Sequence, residues 1–247
     1  MAGTSKPTLV LVHGSFHGPW CWDDTIPHLK KLGYHVVTHQ LYSVGGEPND
    51  DVVAIDAKGI HETLAKELEE NDVVLVVHSY AGVCGSEALG RLAADKTERN
   101  GKVLRIIYVA AFVLPVGVSL LQAIGGKHAS WMRIDPVDDR IMYADVDPFN
   151  IFYNGVPRAV AEATAKRLTH QVHIAYETPV SYAAHKQYPS AYLFCTNDNA
   201  LPYAAQQAMV EGSGVEMRTH TMQTSHSPFL EAPEDFALAI DGLIKGV

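Results

Sequence analysis

Cysteine is scarce in this chain: three residues, Cys21, Cys84 and Cys195, in a length of 247. So odd and sparse a set is no disulfide framework, and Cys84 and Cys195 sit in apolar sequence as small buried hydrophobes. Basic excess is lacking too. Nineteen Lys and Arg stand against 28 Asp and Glu, a formal net charge of −9 at pH 7. No Lys/Arg cluster supplies the basic patch of a nucleic-acid-binding domain, and the acidity disfavours an anionic membrane surface. No apolar run approaches the ~20 residues that span a bilayer. The opening MAGTSKPTLVLVHG has one lysine and a short apolar run ending in His-Gly, which reads as a first strand and not a secretory leader. Spacings such as His-Glu-x-x-His or Cys-x-x-Cys are missing despite thirteen histidines, so no metal site is expected. The expectation is a cytoplasmic, reduced protein that acts on a small molecule, without nucleic acid or membrane as partner.

What is present is ordinary globular composition, 47% hydrophobic and 19% charged. The length suits a single domain over 1–247 with an ample core. Short β-rich runs alternate with amphipathic segments. Thr8–His13, His35–Leu41, Val73–His78, Val103–Ala111, Ala191–Cys195 and Val215–Thr221 read as strands. Val52–Glu69 repeats at helical spacing through Val53, Ala57, Ile60, Leu64 and Leu68, and Ala81–Ala94 reads as a helix. Pro233 near the start of a last helix and Gly246 beyond its end are a start and a stop signal. Nearly all-apolar strands between helices predict an α/β fold, a mostly parallel, doubly wound sheet. The alternation breaks over 116–186, which is too long for a loop and holds one helical run, Pro157–Val172. An inserted helical lid is expected there.

Ser79 stands in VVLVV-HSYAG-VCGSEAL, a strand, a sharp turn and a helix. Such a turn lifts a serine oxygen above a sheet edge and aims a helix N-terminus at developing negative charge. The pattern departs from G-x-S-x-G: Val77 and Ala81 replace the glycines, and Gly82 follows one place later. The competing role for Ser79 is an N-cap of the helix. Two further loops favour the nucleophile. His13-Gly14-Ser15-Phe16-His17-Gly18 follows the first strand, so the backbone N–H of Ser15 would join that of Tyr80 in an oxyanion hole, with Phe16 as the alternative donor. His226, in Thr224-Ser225-His226-Ser227-Pro228-Phe229, follows the final strand, as the base does in the chain order Ser, Asp, His. For the acid, Asp198 follows the strand Ala191–Cys195 at its C-terminal end, where open α/β sheets place their sites. An Asx turn before Pro202 is its competing role. Asp135, Asp138, Asp139, Asp145 and Asp147 fall within 116–186 and read as solvated loop acids.

The segments VLVHGSFHGPWCWDDTIPHLKKLGYHVVTHQL, VVLVVHSYAG, IIYVAAFVLPVG, YLFCTNDNALP and HSPFLEAPEDFA resemble the α/β-hydrolase superfamily, in the branch of plant methyl esterases, hydroxynitrile lyases and related microbial hydrolases. The match runs from about Pro7 to Leu243, strong at both ends and weak over 116–186. The resemblance implies Ser79 as nucleophile, Asp198 as acid, His226 as base, the Ser15 and Tyr80 amides as oxyanion donors, and a homodimer. No cofactor is implied.

Three functions fit these residues. The first is hydrolysis of a small hydrophobic carboxylic ester or lactone through an acyl-enzyme on Ser79. The second is C–C bond cleavage on the same scaffold, of retro-aldol, retro-Claisen or hydroxynitrile type. Related lyases carry a lysine just after the histidine and a threonine in the first loop, where this chain has Ser227 and Gly14. The third is a non-catalytic small-ligand binder. Aromatics of the inserted stretch, Trp131, Tyr143 and Phe152, are expected to line a pocket with Phe16 and His17.

Overall fold

Runs of Val, Leu and Ile too short to be helices become the strands of one parallel sheet. In the computed structural model, which describes residues 6–144 and 147–246, the chain runs β1 (Thr8–Val12), α1 (Ile26–Lys31), β2 (His35–His39), α2 (Val52–Glu67), β3 (Val73–His78), α3 (Ala81–Ala94) and β4 (Val103–Val109). After a long inserted segment it resumes with β8 (Ser190–Cys195), α8 (Tyr203–Gly212), β9 (Arg218–Met222), α9 (Pro228–Glu231) and α10 (Pro233–Lys245). The segment between holds α4 (Leu120–Ala123), β5 (Met132–Ile134), β6 (Ile141–Ala144), α5 (Pro148–Ile151), α6 (Arg158–Ala165), β7 (Gln171–Val172) and α7 (Ile174–Glu177).

The main sheet has the order β2-β1-β3-β4-β8-β9, with every pair parallel. Every residue of β1, β3 and β8 is buried, as expected where helices cover both faces. Edge strand β9, by contrast, exposes four of its five residues. The register pairs Val12 with Val77, and Val77 with Tyr108, so the strands end level. The strand order reverses between β1 and β3, and open α/β sheets form their binding crevice at such a point. The loops carrying Ser15 and Ser79 leave the sheet there.

Helix α10 closes the fold. Pro233 opens it, Glu234 and Asp235 occupy its first turn, and Gly246 ends it at φ 83°. Phe236, Ala237, Ile240 and Leu243 form its buried stripe.

The segment between β4 and β8 is more varied than the helical insertion expected of it. Alongside its short helices it folds a three-stranded antiparallel sheet, β5-β6-β7. The helical run expected over Pro157–Val172 stops at Ala165. Its tail turns and becomes β7, because Gln171 and Val172 pair with Met142 and Ile141 and the Val172 N–H donates to Ser43 O. Long-range strand pairing there overrides the local helical pattern. The last strand likewise starts at Arg218, three residues later than its apolar run. Residues 1–5, the opening of the stretch read as leading into the first strand, and Asp145 lie outside the described residues. Among the described residues no helix is long and apolar enough to cross a membrane.

Candidate active site

Ser79 sits at φ 55°, a left-handed conformation that side-chain-bearing residues seldom adopt. The sheet over-determines it. Its N–H donates to Val109 O at 3.3 Å, and its C=O accepts from Gly82 N at 3.1 Å and Phe112 N at 3.2 Å. The missing motif glycines are compensated nearby. A Cβ on Gly82 would lie 2.2 Å from Phe112 O, and one on Gly14 would lie 2.8 Å from the Ser79 Cβ. Val77 keeps its side chain because Gly85, one turn into α3, has none: a Cβ there would meet Val77 Cγ1 at 2.7 Å. The N-cap role does not apply to Ser79, since Tyr80 occupies the cap position of α3 and no side chain caps it.

His226 and Asp198 meet across two loops. His226 Nδ1 lies 2.7 Å from Asp198 Oδ2, and both side chains are buried. A carboxylate only accepts, so Nδ1 carries the proton and Nε2 keeps the lone pair. The Asx-turn role and the acid role coexist in Asp198. Its Oδ1 accepts from Ala200 N and Leu201 N, both at 2.8 Å, leaving Oδ2 for His226. Gln206 Nε2 also donates to Oδ2, at 3.2 Å. Three of the other acids are engaged elsewhere: Asp135 binds the Val137 and Asp138 amides, Asp138 pairs with Arg140, and Asp147 caps α5.

The first loop is held by neutral histidines. His13 Nδ1–H donates to Gly14 O at 2.8 Å while Nε2 accepts from Leu41 N at 3.2 Å. His17 Nδ1–H donates to Ser15 O at 2.8 Å, and Nε2 accepts from the Tyr153 hydroxyl at 2.8 Å. Burial pushes His17 down to about 4 and His13 to about 3, and it holds His78 well below the usual histidine range. His78 Nε2–H donates to the backbone carbonyl of His226 at 2.9 Å, tying the elbow strand to the histidine loop. Phe16 also takes a left-handed conformation, φ 64°, with its carbonyl accepting from Thr169 N. The Tyr80 side chain is buried away from the cavity, its hydroxyl donating to Asp56 Oδ2 at 3.0 Å.

Ser79 and His226 border one cavity of about 810 Å³. Of the residues expected to line it, Phe16, His17, Trp131 and Phe152 do so. Tyr143 does not. Alternation along β6 turns Met142 into the core and leaves Tyr143 on the other face, against His170 and under the Arg133 guanidinium. Much of the apolar wall instead comes from the loop after β4, with Phe112, Val113 and Leu114, and from the loop after β8 and helix α8, with Leu201 and Met209. Lys127 and Lys186 lie on its border, and no carboxylate side chain lines it among the described residues. Sequence reading also missed Gln206, Tyr153 and Tyr176. A signal for Gln206 existed, since it is a polar residue at helical spacing before Met209 and Val210. Among the described residues no group of three His, Cys, Asp or Glu side chains is arranged to hold a metal ion.

Comparison with known proteins agrees with this architecture. Residues 9–239 match a family described as the alpha/beta hydrolase family. The chain is 30% identical to the alpha/beta hydrolase nvfD of Aspergillus novofumigatus, over 93% of each chain. It is 23% identical to methyl jasmonate esterase 1 of Vitis vinifera, over 96% of each. The crystal structure of a pyrethroid hydrolase from Sphingobium faniae JZ-2 superposes with a TM-score of 0.78 at 22% identity, covering 97% of both chains.

Proposed function

The chain belongs to the alpha/beta hydrolase family, and from that premise we propose that it is a carboxylic ester hydrolase using Ser79 as nucleophile, His226 as base and Asp198 as orienting acid. The observation that carries this reading is the 2.7 Å contact between His226 and Asp198, at a cavity that also holds Ser79 on its strained turn. In the reaction, His226 Nε2 takes the Ser79 proton as Oγ attacks the ester carbonyl. Asp198 keeps the imidazole in the required tautomer and stabilises the imidazolium. The backbone N–H groups of Ser15 and Tyr80 hold the oxyanion, each a donor worth about 3 kcal/mol in favourable geometry. His226 returns the proton to the leaving alcohol, then activates water to release the acid.

The substrate is a small hydrophobic ester or lactone. The cavity falls in the range of about 300–1,000 Å³ used for small ligands, and its walls are mostly apolar and aromatic. Without a compact Arg/Lys cluster, polyanionic esters are poorly matched. The relatives' names point the same way, one being called a methyl jasmonate esterase and one a pyrethroid hydrolase.

Turnover of p-nitrophenyl butyrate tests the assignment. Ser79→Ala should lower kcat by about 10⁴-fold or more. Asp198→Asn should lower it by about 10³–10⁴-fold, by admitting the wrong tautomer. Equal turnover in wild type and Ser79→Ala would overturn the reading.

A further inference from the structure

The side chain of Ser15 is held in place by a tyrosine. The Tyr176 hydroxyl donates to Ser15 Oγ at 2.8 Å. Both residues are buried, and both border the cavity beside Ser79. Tyr176 is itself fixed, its ring lying parallel to that of Tyr80 with centroids 6.1 Å apart. The Ser15 carbonyl is held by His17 Nδ1–H. A serine hydroxyl has two lone pairs and one hydrogen. Tyr176 occupies a lone pair, and among the described residues no protein acceptor takes the hydrogen. A hydroxyl that accepts a hydrogen bond becomes a stronger donor in turn. Burial pushes the Tyr176 phenol up, so it stays protonated and keeps donating.

We propose that the Ser15 hydroxyl is a third donor to the oxyanion, polarised by Tyr176 and acting beside the two backbone amides. The proposal rests on the ester-hydrolase reading given above. As Ser79 Oγ bonds to the carbonyl carbon, the C=O π pair moves onto oxygen and His226 takes the serine proton. Ser15 O–H donates a hydrogen bond to that oxygen without transferring its proton. On collapse the pair returns to form C=O, the C–OR bond breaks, and the leaving oxygen takes the proton from His226. Ser15 thereby touches the reacting atoms, and Tyr176 is a positioning residue. A side chain can serve an oxyanion hole as a backbone amide does, if it is aimed before the charge develops. Here the aim comes from a tyrosine of the inserted segment.

The test is a double-mutant cycle on p-nitrophenyl butyrate, with Ser79→Ala as control and phenylboronic acid as the probe of the tetrahedral state. Ser15→Ala keeps the backbone N–H and should lower kcat/KM by about 10- to 100-fold, mostly in kcat. Ser15→Thr should stay within about threefold of wild type, and Tyr176→Phe should lose about three- to tenfold. In the Ser15→Ala background, Tyr176→Phe should change nothing further, because the donor it polarises is gone. Boronate inhibition should weaken in each variant by the factor lost in kcat/KM. A fully active Ser15→Ala enzyme, additive losses in the double variant, or unchanged boronate inhibition in the slowed variants would overturn the proposal. If Ser15→Ala does not fold, Tyr176→Phe decides by the same boronate comparison. Wild-type turnover in Ser79→Ala would sink the hydrolase reading itself. An inactive Ser79→Ala beside an unaffected Ser15→Ala would sink only the third donor.

Discussion

Strands β1, β3 and β8 bury every residue they contain, whereas in the segment between β4 and β8 the strand β5 buries none and α6 buries only Ala161 and Thr164. The sheet holds the Ser15 and Ser79 loops through paired backbone and close-packed aliphatic side chains. The inserted segment is held by a small antiparallel sheet, by scattered buried side chains such as Trp131, Met142, Phe152 and Val172, and by exposed ion pairs such as Arg140–Asp138 and Arg158–Glu162. Pairs of that kind contribute at most about 1 kcal/mol each. The two regions are nonetheless linked where chemistry requires it, through the buried hydroxyls of Tyr153 on His17 and Tyr176 on Ser15. Close packing is concentrated around the strained turn at Ser79, and variation is left to the walls of the cavity.

Acid should destabilise the protein through the buried histidines of the first region. His13 and His17 are buried neutral, with affinities for protons lowered from the ordinary histidine value of 6.5 to about 3 and about 4. The unfolded chain therefore binds more protons than the folded one below that ordinary value. Stability present above pH 6.5 is lost as the pH falls toward 4, at about 1.4 kcal/mol per pH unit for each histidine. Urea titrations at stepped pH should show this slope, and His17→Gln should remove one histidine's share of it. A stability unchanged from pH 7 to pH 5 would contradict the neutral, buried assignment.

A smaller effect probes the fit between β3 and α3. Gly85→Ala places a methyl 2.7 Å from Val77 Cγ1 and should destabilise the protein by about 1–3 kcal/mol. Adding Val77→Ala should recover part of that loss, whereas independent sites would only add their penalties. Denaturant midpoints of the three variants decide the matter. The smallest effects belong to the walls. Trp131→Ala should reduce kcat/KM for an aromatic ester by about tenfold, through lost apolar contact that substrate and transition state share. Tyr143→Ala should leave the same constant unchanged, because its ring lies outside the cavity. Equal losses in the two variants would show that the inserted segment acts as one rigid wall.

Much of the sheet was legible because its signals are local. Val73–His78 is a continuous apolar run bounded by turns, and Pro233 and Gly246 bracket the last helix as capping chemistry predicts. The elbow was legible from strand, turn and helix around Ser79. The inserted segment was less so: residues 165–172 carry a helical pattern, but Thr169 N donates to Phe16 O, and Gln171 and Val172 pair with β6 and Ser43. Tyr143 and Trp131 look alike as aromatics in a polar stretch, and only the face of β6 separates them.

The sequence by itself determined the α/β alternation, the serine turn and the chain order in which serine, acid and histidine occur, since periodicity and turn chemistry act over a few neighbouring residues. Tertiary structure decided the rest. It selected Asp198, 28 residues from His226, among the available acids, and it brought Gly85 against Val77 to replace a missing motif glycine. It also carried the Tyr176 hydroxyl to Ser15, 161 residues away. Contacts of that kind depend on where a folded backbone brings distant side chains together, and no local pattern encodes that meeting.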